Sequence, residues 1–136
     1  MKKLIRAIDD LSGFTLIELV VVVIIMSILV ALAVPTYTNT KEKALDKEAV
    51  MALKLIRSAS KQYFAKFEHF YPYTGSITSL SNINNNLSLD LSGSNWGFAL
   101  SGTGTAFTAN ATRTGSTRRW TINQAASEPS CVTACL

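Results

Sequence analysis

From Phe14 to Val34 the chain holds 21 residues with one charged side chain, Glu18. A helix of that length is about 30 Å long, enough to cross the hydrocarbon layer of a bilayer. From Leu19 to Val34 the only polar side chain is Ser27. This stretch cannot join a soluble core, so a folded domain must be built from the residues beyond it. The single carboxylate is the informative exception. A group of its kind costs roughly 2.5–3.5 kcal/mol at the centre of a membrane helix. A plain anchor has no use for it, and an ionisable group in such a span implies a functional partner. The milder reading is a carboxylate that reaches the headgroup layer because it sits near the helix start.

The flanks set an orientation. Lys2, Lys3 and Arg6 precede the apolar run closely, and basic flanks stay on the cytoplasmic side. Everything after Pro35 is then expected outside. The net charge of +4 over 136 residues is modest and does not by itself call for a nucleic-acid partner. Cys131 and Cys135 fall on the outer, oxidising side, which favours a disulfide. Two free thiols are the alternative, and two thiolates without a nearby histidine make only half a zinc site.

A secretory signal places its apolar stretch ahead of its cleavage site. Here the small-residue pair Ser12-Gly13 lies before the apolar stretch. Two readings are open: an uncut single-span anchor, or a cut after Gly13 that removes the charged leader and keeps the hydrophobic helix.

The segment Gly13-Phe14-Thr15-Leu16-Ile17-Glu18, with an aliphatic run directly after it, resembles the type IV prepilin motif. The resemblance implies cleavage after Gly13 by a prepilin peptidase and N-methylation of the new terminal residue, Phe14. It implies that Glu18 is the acidic assembly residue and that Pro35 is a helix-disturbing proline. The close match covers residues 12–36; beyond it the likeness is architectural. The implied domains are a leader, 1–13, removed on maturation; an apolar membrane and filament-core half of a helix, 14–43; and a soluble head, 44–136. The implied partners are further copies in a helical filament, the membrane, the peptidase/methylase and the pilus assembly machinery. The implied location is the cytoplasmic membrane, amino end in and carboxyl end out, and afterwards an extracellular pilus.

The physics suits that role. The dozen Leu, Ile and Val residues between Leu19 and Val34 gain roughly 1.5–3 kcal/mol each when buried away from water. Such burial has no direction and sets no register. A Glu18 carboxylate paired with the Phe14 amine of a neighbouring subunit does. Pro35 removes one helix hydrogen bond and crowds the carbonyl of Ala31, so a kink is expected there, with local unwinding near 31–35 in an assembled fibre as the sharper reading.

No Gly or Pro lies between Thr36 and Tyr71. Leu45, Ala49, Ala52, Leu53, Ile56, Ala59, Tyr63, Phe67 and Phe70 recur at steps of mostly three or four, as on one face of a helix. The helix is expected to run from Phe14 to about Phe67, on the order of 80 Å. Residues 74–95 read as a surface loop with apolar plugs and a short helical turn near Ser76–Ser81. Three strands come next, at Trp96–Leu100, Phe107–Arg113 and Arg119–Asn123, separated by Gly/Ser/Thr turns. The expected fold class is α+β: a long amino-terminal helix packed on a three-stranded antiparallel meander that rests on the aromatic stripe Tyr63, Phe67 and Phe70. A Cys131–Cys135 bond closes a very small ring, tighter than the loops the family often closes near its carboxyl end.

No catalytic constellation, phosphate-cradling glycine loop or metal-spaced cluster is present, and no cofactor is implied. The one histidine, His69, sits among aromatics and reads as a packing residue. The expected function is structural: a type IV pilus subunit, not an enzyme. The alternatives are a pseudopilin of a type II secretion apparatus and a pilin for DNA uptake. In the last case Arg113, Arg118, Arg119 and the helix lysines would contact phosphates.

Overall fold

The structure, a computed structural model, describes residues 13–135; the leader residues 1–12 lie outside the described residues. Helix α1 spans Leu16–Phe67 and runs through Pro35. After it come β1 (Gly75–Ile77), α2 (Leu80–Leu87), β2 (Trp96–Gly102), β3 (Phe107–Arg113), β4 (Arg119–Asn123) and β5 (Ser130–Thr133). The chain divides into two compact units, one ending at Thr40 and one beginning at Lys41.

The first unit is helical and exposes its apolar side chains all round, from Leu16 to Val34. Its serine and threonine hydroxyls along the helix bond to the helix's own carbonyls. The Ser27 hydroxyl donates to the Val23 carbonyl at 2.7 Å, and that of Thr36 donates to Leu32. Such back-bonding removes the cost of carrying a hydroxyl into hydrocarbon.

The second unit is an α+β head. Its five strands form one sheet in the order β1-β2-β3-β4-β5, so every neighbour is the next strand in the chain. All pairs are antiparallel, with Trp96 opposite Arg113, Leu100 opposite Ala109 and Ala111 opposite Trp120. The sheet therefore has five strands, not the expected three. The central three lie where the alternation placed them. The two edges, β1 and β5, are too short and too polar to show a period.

The region expected to be a loop contains helix α2. Ser79 caps it, its side chain accepting from the Asn82 amide, and Ser88 ends it in a left-handed conformation at φ 54°. Ile83 and Leu87, one turn apart, enter the core. Burial of that face stabilises an asparagine-rich segment whose own helix preference is weak.

The core lies between α1 and the sheet. Ala49, Ala52, Leu53, Ile56 and Ala59 are buried from the helix, and Trp96, Phe98, Leu100, Phe107, Ala109, Ala111 and Ile122 from the sheet. Three helix positions are alanine, which lets large sheet residues fill the gap. The Trp96 indole N–H donates to the Leu45 carbonyl at 3.0 Å, so its one polar atom is satisfied. The sheet thus rests mainly on Ala49–Ala59, and the aromatic stripe contributes only in part, with Tyr63 partly buried against the core. Phe67 is 45% exposed, and only Phe70 of the three expected residues is buried. Its ring lies 5.0 Å from that of Phe107.

Gly102 marks a close approach. A Cβ built there would collide with the carbonyl oxygen of Pro72, where the chain enters β1. Gly102→Ala should destabilise the head by about 1–3 kcal/mol, because backbone must shift to admit the methyl. Thermal unfolding of the full chain in detergent micelles reads this directly. An unchanged midpoint would show that the approach is not tight.

Candidate processing and assembly segment

Gly13, Phe14 and Thr15 precede helix α1 in non-helical backbone. A Cβ at Gly13 would meet nothing within 4 Å, and Phe14 is 75% exposed. The peptide bond between Gly13 and Phe14 therefore lies in open chain, two residues ahead of the helix.

Glu18 is not isolated within its own chain. The Thr15 amide donates to Glu18 Oε2 at 2.9 Å, and the Thr15 hydroxyl donates to the same oxygen at 2.8 Å. In return the Glu18 amide donates to Thr15 Oγ1 at 3.3 Å. This is a capping box: a threonine at the helix cap and an acid three residues on satisfy each other's amides. The pattern Thr15-x-x-Glu18 ahead of an apolar run is a sequence signal for it, masked by the longer motif that contains it. The carboxylate is also well placed beside the positive end of the helix dipole. Among the described residues it makes no ion pair, and its second oxygen, Oε1, accepts no bond from the described residues.

At the other end of the chain, Cys131 and Cys135 form a disulfide, with Cα atoms 5.9 Å apart. Strand β5 places this ring beside β4, opposite Arg119 and Trp120. Ala134, inside the ring, takes a left-handed conformation at φ 52°.

Arg118, weighed as a phosphate contact only for the DNA-uptake alternative, is engaged within the head. Its Nη1 donates to Glu42 Oε2 at 2.8 Å and to Asp46 Oδ1 at 3.2 Å, and only 11% of its side chain is exposed. The Trp120 indole N–H reaches the same Asp46 oxygen at 3.4 Å. A guanidinium held between two carboxylates and largely buried is poorly placed to meet a polyanion. Arg113 is likewise engaged, donating to the Asn95 carbonyl at 3.0 Å and lying 5.7 Å from the Trp96 ring. Arg119 is exposed. Nothing in the sequence signals the Arg118 cluster, since Arg118 lies 76 residues from Glu42 and 72 from Asp46.

His69 packs between aromatic rings, 5.6 Å from Tyr63 and 5.2 Å from Tyr73, with Nδ1 2.8 Å from the Phe67 carbonyl. Among the described residues no carboxylate is hydrogen-bonded or ion-paired to it. Among the described residues no group of His, Cys, Asp and Glu is placed to hold a metal ion.

A long apolar helix joined to an antiparallel head defines an α+β protein with a membrane-compatible amino-terminal segment. Residues 12–34 match the family described as the prokaryotic N-terminal methylation motif. Type II secretion system core protein G of Escherichia coli K12 is 39% identical over 69 residues, covering 51% of this chain and 47% of that protein. The type IV major pilin protein PilA of Myxococcus xanthus is 35% identical over 65 residues, covering 48% of this chain and 30% of that protein. A fimbrial protein of Neisseria meningitidis serogroup B is 40% identical over 53 residues, covering 39% and 31%. The chain spans less than half the length of each. No solved structure matches. The amino-terminal half of the chain is thus similar both to pilus pilins and to core proteins of secretion systems, and residues 12–34 carry the methylation motif.

Replacing Arg118 by alanine should leave Asp46 buried without its cation. The expected loss is about 3 kcal/mol, enough to lower the head's unfolding temperature by roughly 12–24 °C. Calorimetry of the detergent-solubilised variant measures it. A shift within error of zero would mean that water satisfies the two carboxylates equally well.

Proposed function

We propose that this protein is the structural subunit of an extracellular type IV pilus. One observation carries the reading: a helix segment, Leu16 to Val34, that exposes aliphatic side chains on every side and holds one carboxylate near its start. Such a surface is soluble in lipid or buried among copies of itself, and nowhere in between.

In this reading the chain is held in the cytoplasmic membrane with its amino end inside. It is cut between Gly13 and Phe14 by the prepilin peptidase, and the Phe14 amine is methylated. The new amine keeps its positive charge. On assembly it pairs with Glu18 of a neighbour, fixing one axial step per subunit. The capping box supports the same residue for a second task. Before cleavage Thr15 satisfies one oxygen of Glu18 while the other remains to receive a cation. Pro35 weakens the helix by one hydrogen bond where bending or unwinding would be useful in a fibre. The chain performs no catalysis in this scheme; its chemistry is done to it.

A second reading is supported by the E. coli relative, named a secretion core protein. As a pseudopilin the chain would build a short periplasmic fibre by the same helix burial. DNA uptake is less favoured, because Arg118 is spent on Glu42 and Asp46.

Mass spectrometry of filaments sheared from cells tests processing and location together. The expected amino-terminal peptide begins with N-methyl-Phe14. Glu18→Ala should insert into the membrane normally yet reduce filaments at least tenfold. Abundant filaments from that variant would refute the pairing. Loss of enzyme secretion on deletion, with no surface filament in the wild type, would favour the pseudopilin.

A further inference from the structure

We propose that the carboxyl-terminal disulfide ring is a redox-dependent latch that holds Arg118 on the first turns of α1 within the head. The inference stands apart from the filament reading and needs only the folded head.

Three groups grip the Arg118 side chain. Two are the carboxylates of Glu42 and Asp46 on α1. The third is the carbonyl of Ala134, which accepts from Arg118 Nε at 3.1 Å. Ala134 lies inside the ring, next to Cys135, and its φ of 52° is one that non-glycine residues seldom adopt. Outside a closed ring, alanine would leave that conformation readily, since it costs about 1–2 kcal/mol. Ring closure holds it there, and the conformation turns the carbonyl towards Arg118. The planar guanidinium then has Nε fixed by the ring and Nη1 fixed on α1, so the orientation of one end sets the other.

The consequence is directional. Reduction breaks the Cys131–Cys135 bond. The disulfide takes up two electrons and two protons from a dithiol and becomes two thiols, while the dithiol leaves as a disulfide. Ala134 relaxes, Arg118 Nε loses its acceptor, and the grip on Glu42 and Asp46 weakens. The reverse step, oxidation by a disulfide-bearing oxidant outside the membrane, closes the latch. A head that has reached the oxidising side thereby differs from one that has not, and the difference appears on α1, far away in sequence. The carboxyl-terminal segment has a second tie to the helix, Lys54 with Glu128 at 2.6 Å. That pair lies outside the ring and supplies an internal control.

Hydrogen exchange of the full chain in detergent micelles, read by mass spectrometry with and without dithiothreitol, tests the latch. Reduction should speed exchange of amides in 42–48 about tenfold, the effect of losing one hydrogen bond to a charged donor, while the segment around Lys54 changes less than about twofold. Cys131→Ser with Cys135→Ser should reproduce the reduced pattern. Arg118→Lys keeps the charge but has no Nε; in it, reduction should add less than about twofold at 42–48. The latch is overturned if reduction leaves 42–48 unchanged in the wild type. It is equally overturned if reduction acts as strongly in Arg118→Lys, or speeds the whole head uniformly.

Discussion

The apolar surface of residues 16–34 is the constraint on which every other part of the molecule depends. At roughly 1.5–3 kcal/mol for each aliphatic side chain, exposing that surface to water would cost more than a small head could supply in folding energy. The chain is therefore committed to lipid or to like surfaces before its head matters. The head in turn has to fold without help from that half. It does so with a core drawn wholly from Lys41 onward, where a face of small helix residues meets large rings from the sheet.

The polar groups obey the same economy. Within the apolar half, the Ser27 and Thr36 hydroxyls donate to carbonyls one turn back, and the single carboxylate is tied into the helix cap. Within the head, the buried carboxylate of Asp46 is met by a guanidinium and an indole. Buried charge is tolerated where it is matched, and Asp46 fixes how β4 sits on α1.

Much of this is legible in the chain itself. The spacing of Ala49, Leu53 and Ile56 marks the buried helix face because each turn must present the same side to the sheet. The alternation in Phe107–Arg113 marks β3 because its two faces meet different surroundings. The apolar run with Gly13 and Glu18 carries the family likeness because few chains place a carboxylate there. The features that escape a sequence reading are set by distant partners. Strand β1 exists because Gly75–Ile77 lies against β2, and β5 because β4 offers an edge. Neither carries a pattern of its own. Helix α2 is hidden by asparagines with weak intrinsic preference, and its Ser79 cap is the one local sign. The aromatic stripe misleads because periodicity tells which face turns inward but not how far along the helix the sheet reaches. Thr15 and Glu18 are readable as a cap, but the family likeness draws attention to the acid alone.

The two outer strands of the head are its shortest, three and four residues long. Unpaired strand borders invite further strands from other molecules. A chain whose helix exposes an apolar surface on every side is especially open to that error. Here one border is only Gly75-Ser76-Ile77, and the other stops at a covalent ring that closes just beyond its last strand position. Edge-to-edge growth into amyloid-like ribbons is thereby denied a template.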